Sequence, residues 1–276
     1  MEKPIQELLQ FSIINIDKPS GPTSFSISDF VRKSLALNKT SHFGTLDPQV
    51  TGVLPIALSR ACRLNEYFKH KDKTYVGIMR VHKEVNEKNL HEIIKKFIGK
   101  IMQLPPVRSS VKRQLREREI KSFNILEIQG KDILFESQVQ AGTYIRKLCD
   151  DVGKEIGGAH MLELRRTKAS IFPEVESIDL YQFEKAVEEY KNGNEKLLRD
   201  ILIPAELAIL KVLPQVQVKE SSLKSLLTGK PLMKVDIKDK LPPEEIFAIF
   251  NKDKFIAVMK RVEEKDILAR AQFVLN

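Results

Sequence analysis

Residues 42–52 read HFGTLDPQVTG, an acid set between two glycines with a proline directly behind it. Gly44 and Gly52 permit close backbone approach by another chain, and Pro48 fixes the backbone just past the carboxylate of Asp47. Taken alone, these residues make either an Asp-Pro turn or a loop built to present a carboxylate.

Upstream, residues 11–17 form a short isoleucine-rich run closed by KPSGP at 18–22, which predicts a strand and a rigid turn. Thr23 or Ser24 then caps a helix whose apolar positions Ile27, Phe30, Val31 and Leu35 keep helical spacing. Residues 37–51 read as a loop. Downstream, 75–81 reads as a strand, and Leu90, Ile93, Ile94, Phe97 and Ile98 mark an amphipathic helix. Strands are expected near 122–129 and 132–140. Ile145, Leu148, Cys149, Val152 and Ile156 line one helix face, which Gly157-Gly158 ends. Further helices are expected at about 179–190 and 195–210. Pro214 marks a boundary between residues 1–212 and 213–276. The second part reads as a small, mostly β unit: a helix near 220–228 and strands near 244–250, 254–260 and 266–274. At that size it should dock on its neighbour.

Bulk properties narrow the function. The 276 residues carry a net charge of +9, which suits a polyanionic partner, whether nucleic acid or membrane surface. No apolar run approaches the roughly 20 residues of a membrane span, and the first residues lack a signal-peptide pattern. Cys62 and Cys149 are far apart and read as core thiols. The five histidines show no metal-ligand spacing, and no phosphate-binding glycine loop is present. The expectation is a cytoplasmic protein with no metal and no cofactor.

Two further residues stand out. Arg146 falls in the first turn of a helix, off its apolar stripe, where a cation is disfavoured by roughly 0.3–1 kcal/mol. Such a placement makes sense opposite a carboxylate or phosphate; otherwise Arg146 is a solvated surface residue. Tyr75 follows the basic run KHKDK (69–73) and is either a half-buried strand residue or a stacking platform for a base. Arg108, Lys112, Arg113 and Arg116 cluster in one basic segment, and Arg165, Arg166 and Lys168 in another. Both are candidate phosphate contacts, or else an ordinary solvated basic face.

Four motifs occur in order: KPSGPTS (18–24), HFGTLDP (42–48), KTY (73–75) and GTYIRKL (142–148). Together they resemble the successive motifs of the TruB family of pseudouridine synthases. The resemblance implies a catalytic Asp47 whose carboxylate pairs with Arg146, and Tyr75 contacting the target base. It also implies His42 helping to hold a flipped nucleotide beside Gly44 and Thr45, with Leu148 packing in the pocket. Phe43 stands where the family usually has a small residue. RVHKEV (80–85), PPVRSSVKR (105–113) and GAHMLELRRT (158–167) resemble the dyskerin branch, the catalytic subunits of archaeal and eukaryotic H/ACA ribonucleoproteins.

The fold so implied is α+β: a mixed, mainly antiparallel sheet flanked by helices, followed by a small β-rich PUA-like domain. The implied activity is isomerisation of uridine to pseudouridine in RNA, with ribosomal RNA the expected target and a guide RNA directing it. Partners would be guide RNA, target RNA and the small H/ACA core proteins of the Nop, Gar and kink-turn-binding ribosomal types. The alternatives are a guide-independent transfer-RNA synthase and a non-catalytic RNA-binding scaffold.

Overall fold

The computed structural model describes residues 3–106 and 112–276, and its strands form two sheets. The first contains β1 Ser12–Lys18, β2 Thr40–His42, β3 Thr51–Leu58, β4 Lys73–Val81, β5 Gly99–Gln103, β6 Arg116–Gln129, β7 Asp132–Val139, β8 Ala159–Ala169, β9 Phe172–Pro173 and β10 Ile203–Pro204. Their order is β10-β1-β3-β8-β4-β7-β6-β5, with β2 paired to β3 and β9 to β8. Its named strand pairs are antiparallel except β3 with β8, which run parallel through Thr51 and Gly52 against Arg165 and Arg166. A mixed, mainly antiparallel sheet is what was expected. Among the described residues no helix is long and apolar enough to cross a membrane.

Two of its inner strands, β3 and β8, are passed over by pattern reading. β3 is TGVLPIAL, buried on both faces, so it shows no alternation. It also contains Pro55, normally an argument against an interior strand. Here the Pro55 carbonyl takes the Phe43 N–H at 2.9 Å, on the side where β2 has already ended. A missing N–H there leaves no partner waiting. β8 carries the charged stretch ELRRTK, and bulges opposite Thr74/Tyr75 and Ile78/Met79 break its period of two.

Elsewhere the boundaries move for local reasons. β6 begins at Arg116 rather than near 122, because the basic segment itself pairs with β5. The helix expected over 195–210 is split into Lys196–Ile201 and Ala205–Ile209, with Pro204 standing immediately before the second.

β4 divides the packing between its two faces. Lys73, Tyr75, Met79 and Val81 are buried on one side, alternating with Thr74, Val76, Ile78 and Arg80 on the other. Helices Glu87–Lys96 and Ile145–Glu155 supply Leu90, Ile93, Ile94, Leu148 and Val152 to the Tyr75 side. Helices Ser24–Ser34 and Leu180–Lys191 bury Ile27, Val31, Phe183 and Val187 with residues of β1 and β3. Thr23 caps the first of these by accepting the Ser26 N–H at 3.0 Å.

The second sheet holds β11 Gln215–Gln217, β12 Leu232–Met233, β13 Ile246–Asn251, β14 Lys254–Arg261 and β15 Ile267–Val274, in the order β11-β13-β14-β15-β12. It does not stand apart. Phe11 of the first layer stacks on Phe255 at 5.3 Å and meets Phe273 at 6.2 Å. These rings share one core with Phe43, Phe68, Phe172 and Phe250. Phe43 accordingly serves packing, lying parallel to Phe68 at 4.7 Å.

Candidate active site

The loop carrying Asp47 is fastened at nearly every residue around the acid. Leu46 gives its N–H to the Ser24 hydroxyl at 2.8 Å and takes the hydroxyl proton on its carbonyl at 3.0 Å. The Val50 N–H closes a turn onto the Asp47 carbonyl at 3.0 Å. The Pro48 carbonyl accepts from the Gly21 N–H and from the Lys18 ammonium, both at 2.9 Å. Arg166, 1% exposed, donates from Nη2 to the Gly44 carbonyl at 3.0 Å and from Nε to the Val53 carbonyl at 2.8 Å. Around this frame the Asp47 side chain remains 57% exposed. A fixed backbone thus holds an open carboxylate.

The glycines explain themselves differently from each other. A Cβ on Gly52, at φ +100°, would lie 2.2 Å from the Arg166 carbonyl oxygen. The chain that comes close is therefore β8 of this same protein. At Gly44, φ is +119° but the space is ordinary.

Arg146 arrives from the opposite side. The backbone of Tyr144, just before helix Ile145–Glu155, is clamped by the buried side chain of Gln103, which accepts its N–H at 3.0 Å and donates to its carbonyl at 3.2 Å. Arg118 donates from Nε to the Gly142 carbonyl at 3.0 Å. From that start Arg146 places Nη2 2.5 Å from Oδ2 of Asp47. The carboxylate facing the helix-start cation is the acid of HFGTLDP. Beneath the pair, Leu46 and Val50, neighbours of Asp47, share a cluster with Tyr75 and with Ile145 and Leu148, neighbours of Arg146.

Several expected site residues take other places. Leu148 is fully buried, because it lies on the helix stripe that faces the sheet, so it supports the site from below and does not line it. Tyr75 is 9% exposed and offers a base little of its ring as the site stands. Thr45 is exposed beside Asp47, and Gly44 is part-buried. His42 lines a cavity of about 210 Å³ with Phe25, Ser28, Arg32, Thr40 and Ser41. Burial and the neighbouring Arg166 charge push its pKa down, and its buried Nδ1 has no partner among the described residues.

The basic set divides in the same way. Arg166 is no phosphate contact: its guanidinium is inside the protein, spent on two backbone carbonyls. Arg165 is held by two carboxylates, Asp17 at 2.8 and 2.9 Å and Glu174 at 2.5 Å, which leaves little free charge for RNA. Lys112 and Arg113 are exposed, and Arg116 is part-buried. They adjoin the Gln103–Arg116 end of the β5–β6 ladder, and Gln103 also clamps Tyr144. Arg108 lies outside the described residues. Lys168 is exposed on the sheet face away from Tyr75.

Lys18, Ser24, Gln103 and Arg118 hold the frame of this site, a role that pattern reading missed. Lys18 and Ser24 lay inside a quoted motif, so a signal existed. Arg118 belongs to the basic segment read for phosphates, and nothing in the pattern marks it or Gln103 as holding backbone atoms distant in sequence. Among the described residues no group of three His, Cys, Asp or Glu could hold a metal ion.

The model for the N-terminal domain of TruB family pseudouridylate synthases matches residues 32–145, and that for the tRNA pseudouridylate synthase B C-terminal domain matches 146–210. A Methanopyrus kandleri protein named "Probable tRNA pseudouridine synthase B" is 42% identical, covering 90% of this chain and 75% of its own. A protein of the same name from Methanothermobacter thermautotrophicus is 43% identical, covering 84% and 72%. Among solved structures, a Cbf5-Nop10-Gar1 complex matches with a TM-score of 0.91 and 38% identity, over 99% of this chain and 87% of that one. An H/ACA RNP bound to a substrate RNA containing 2'-deoxyuridine matches at 0.90 and 35%, over 99% and 88%.

Proposed function

Because the chain belongs to the TruB family of pseudouridylate synthases, we propose that it isomerises uridine in RNA with Asp47 as the catalytic carboxylate, working inside a guide-directed H/ACA particle. The reaction breaks the N1–C1′ bond, turns the base and joins C5 to C1′, with the C5 proton lost to solvent. Two routes are open to one carboxylate: addition to C1′, or removal of the 2′ proton. Both need Asp47 ionised, and the Arg146 guanidinium stands 2.5 Å from its carboxylate. The base must leave its stack in order to turn. That pair, on a loop bolted at Leu46, Pro48 and Gly44, is the observation that carries the chemistry.

Guide dependence rests on the likeness to Cbf5 assemblies, which extends over 99% of the chain and so includes the second sheet. The two family models stop at residue 210, short of it. We take residues 1–212 as catalytic and 213–276 as a PUA-like RNA-binding unit. Partners of the Nop10 and Gar1 kind then join it, as in the matched complexes. The second reading, a stand-alone transfer-RNA synthase, is favoured by the names of the archaeal relatives.

Tritium release from RNA carrying 5-tritiated uridine separates these. Release that needs both Asp47 and an added guide supports the particle-bound enzyme. Release from transfer RNA by the chain alone supports the second reading. Absence of release under both conditions would make the chain an RNA-binding scaffold.

A further inference from the structure

Thr74 and Tyr75 are adjacent and point to opposite sides of the sheet. Tyr75 belongs to the Asp47 side, and Thr74 opens onto a hollow of about 500 Å³ that the Asp47 site does not use. Lys71, Thr74, Lys121, Lys168, Ser170 and Lys211 line it. Asp72 is the one carboxylate of the lining, and it is taken by Lys121 at 2.5 Å. His70 also lines it; burial, Lys69 and Lys73 push its pKa down. Three lysines are left facing the space without a carboxylate of the lining to balance them.

Ser170 is a second, independent sign. It is a non-glycine residue at φ +59°, a conformation that costs energy, and its Oγ is buried with no partner among the described residues. Its N–H is tied to the Asp72 carbonyl at 2.9 Å, which holds the turn in place. Concentrated positive charge beside an unsatisfied hydroxyl suits an oxyanion with several acceptor oxygens. Lys211 lies shortly before β11, so the hollow opens where the first sheet gives way to the second.

We propose that this hollow is a second RNA contact, seating backbone phosphates of the RNA on the sheet face opposite Asp47. The contact reads no sequence; it sets where the RNA lies against the junction of the two sheets. It rests on RNA being the substrate, as proposed for the Asp47 site.

The test is equilibrium binding of the substrate RNA over a salt series, using the full chain with Lys71→Glu and Lys211→Glu combined. Affinity should fall about tenfold or more, and the slope of log K against log salt should drop by about 2, one per lost phosphate contact. The charge-keeping pair Lys71→Arg and Lys211→Arg should bind as the wild type does. The loss should appear in KM more than in kcat, since neither lysine takes part in the Asp47–Arg146 pair. If that variant is misfolded by circular dichroism, Lys211→Gln carries the test, with a slope change of about 1. Unchanged affinity and slope in a folded variant would overturn the second contact alone. Absence of RNA binding by the wild-type chain would overturn the functional reading along with it.

Discussion

Lys18 reaches from the end of β1 to the carbonyl of Pro48, the residue after Asp47, and donates to it at 2.9 Å with no part of its own surface exposed. The same ammonium holds Pro19 at 2.7 Å and Pro22 at 2.9 Å. Burial lowers its pKa, and the Asp47 carboxylate opposes that shift. One buried cation therefore ties the KPSGP turn to the Asp47 loop.

Lys18→Met should take the ammonium from three carbonyls, of which Pro48 alone keeps a donor in the Gly21 N–H, and cost roughly 2–5 kcal/mol of stability, measurable by urea unfolding. Because the loop loses its anchor and the RNA surface does not change, kcat should fall about tenfold or more while RNA affinity stays near the wild type. A variant as stable as the parent would remove Lys18 from its positioning role.

Arg166→Gln separates a buried bolt from an RNA contact. The substitution frees the Gly44 and Val53 carbonyls inside the protein, so unfolding free energy should drop by about 3–5 kcal/mol. The salt dependence of RNA binding should not change. A slope reduced by about 1 would instead make Arg166 a phosphate contact.

Gly52→Ala is expected to be among the most damaging single-methyl changes in the chain. Its Cβ would meet the Arg166 carbonyl at 2.2 Å, at a φ of +100°. Separation of β3 from β8 would result, with a loss of about 3 kcal/mol or more in thermal or urea unfolding. Gly99→Ala, with an equally positive φ but open space around it, is the control and should cost about 1 kcal/mol.

How much was legible in the residues depended on how local each cause is. The Asp47 loop, the Thr23 cap and the Arg146 helix start depend on neighbours within a few positions, and their patterns were visible. The pairing of Asp47 with Arg146 spans 99 positions and entered only through resemblance to a family. β3 and β8 escaped because burial on both faces and ion-paired arginines erase the alternation that marks a strand. Arg165 and Arg166 looked alike in the chain. Their different fates, one held by Asp17 and Glu174 and one buried against two carbonyls, are set entirely by strands distant in sequence.

Lys73 should leave a mark on the pH dependence of stability. Its ammonium is buried and held by the Lys69 and Lys71 carbonyls; burial, and then the Arg166 charge, bring its pKa from 10.5 to about 8. Below pH 8 both folded and unfolded chains carry the proton. Between about 8 and 10.5 the unfolded chain binds more protons than the folded one, so this residue makes stability rise with pH. The full effect is roughly 3 kcal/mol. Measured against Lys73→Met, which cancels the other alkaline titrations, the wild-type advantage should grow across that window. A difference independent of pH would mean that Lys73 titrates as an ordinary lysine.

Arg146→Ala tests the centre of the site. The guanidinium lies 2.5 Å from Asp47, and both side chains are more than half exposed, so the pair contributes little to stability. Its value should appear in the reaction, where it orients the carboxylate at the moment of attack. The expected result is a loss in kcat of about 100-fold or more, RNA affinity within about threefold, and unfolding within about 1 kcal/mol of the parent. Arg146→Lys keeps the charge but loses the planar fork, so it should recover only part of the rate. Asp47→Asn fixes the floor of the assay by abolishing turnover while RNA still binds. If Arg146→Ala weakens binding in step with kcat/KM and leaves kcat untouched, the arginine holds RNA, and Asp47 acts without it.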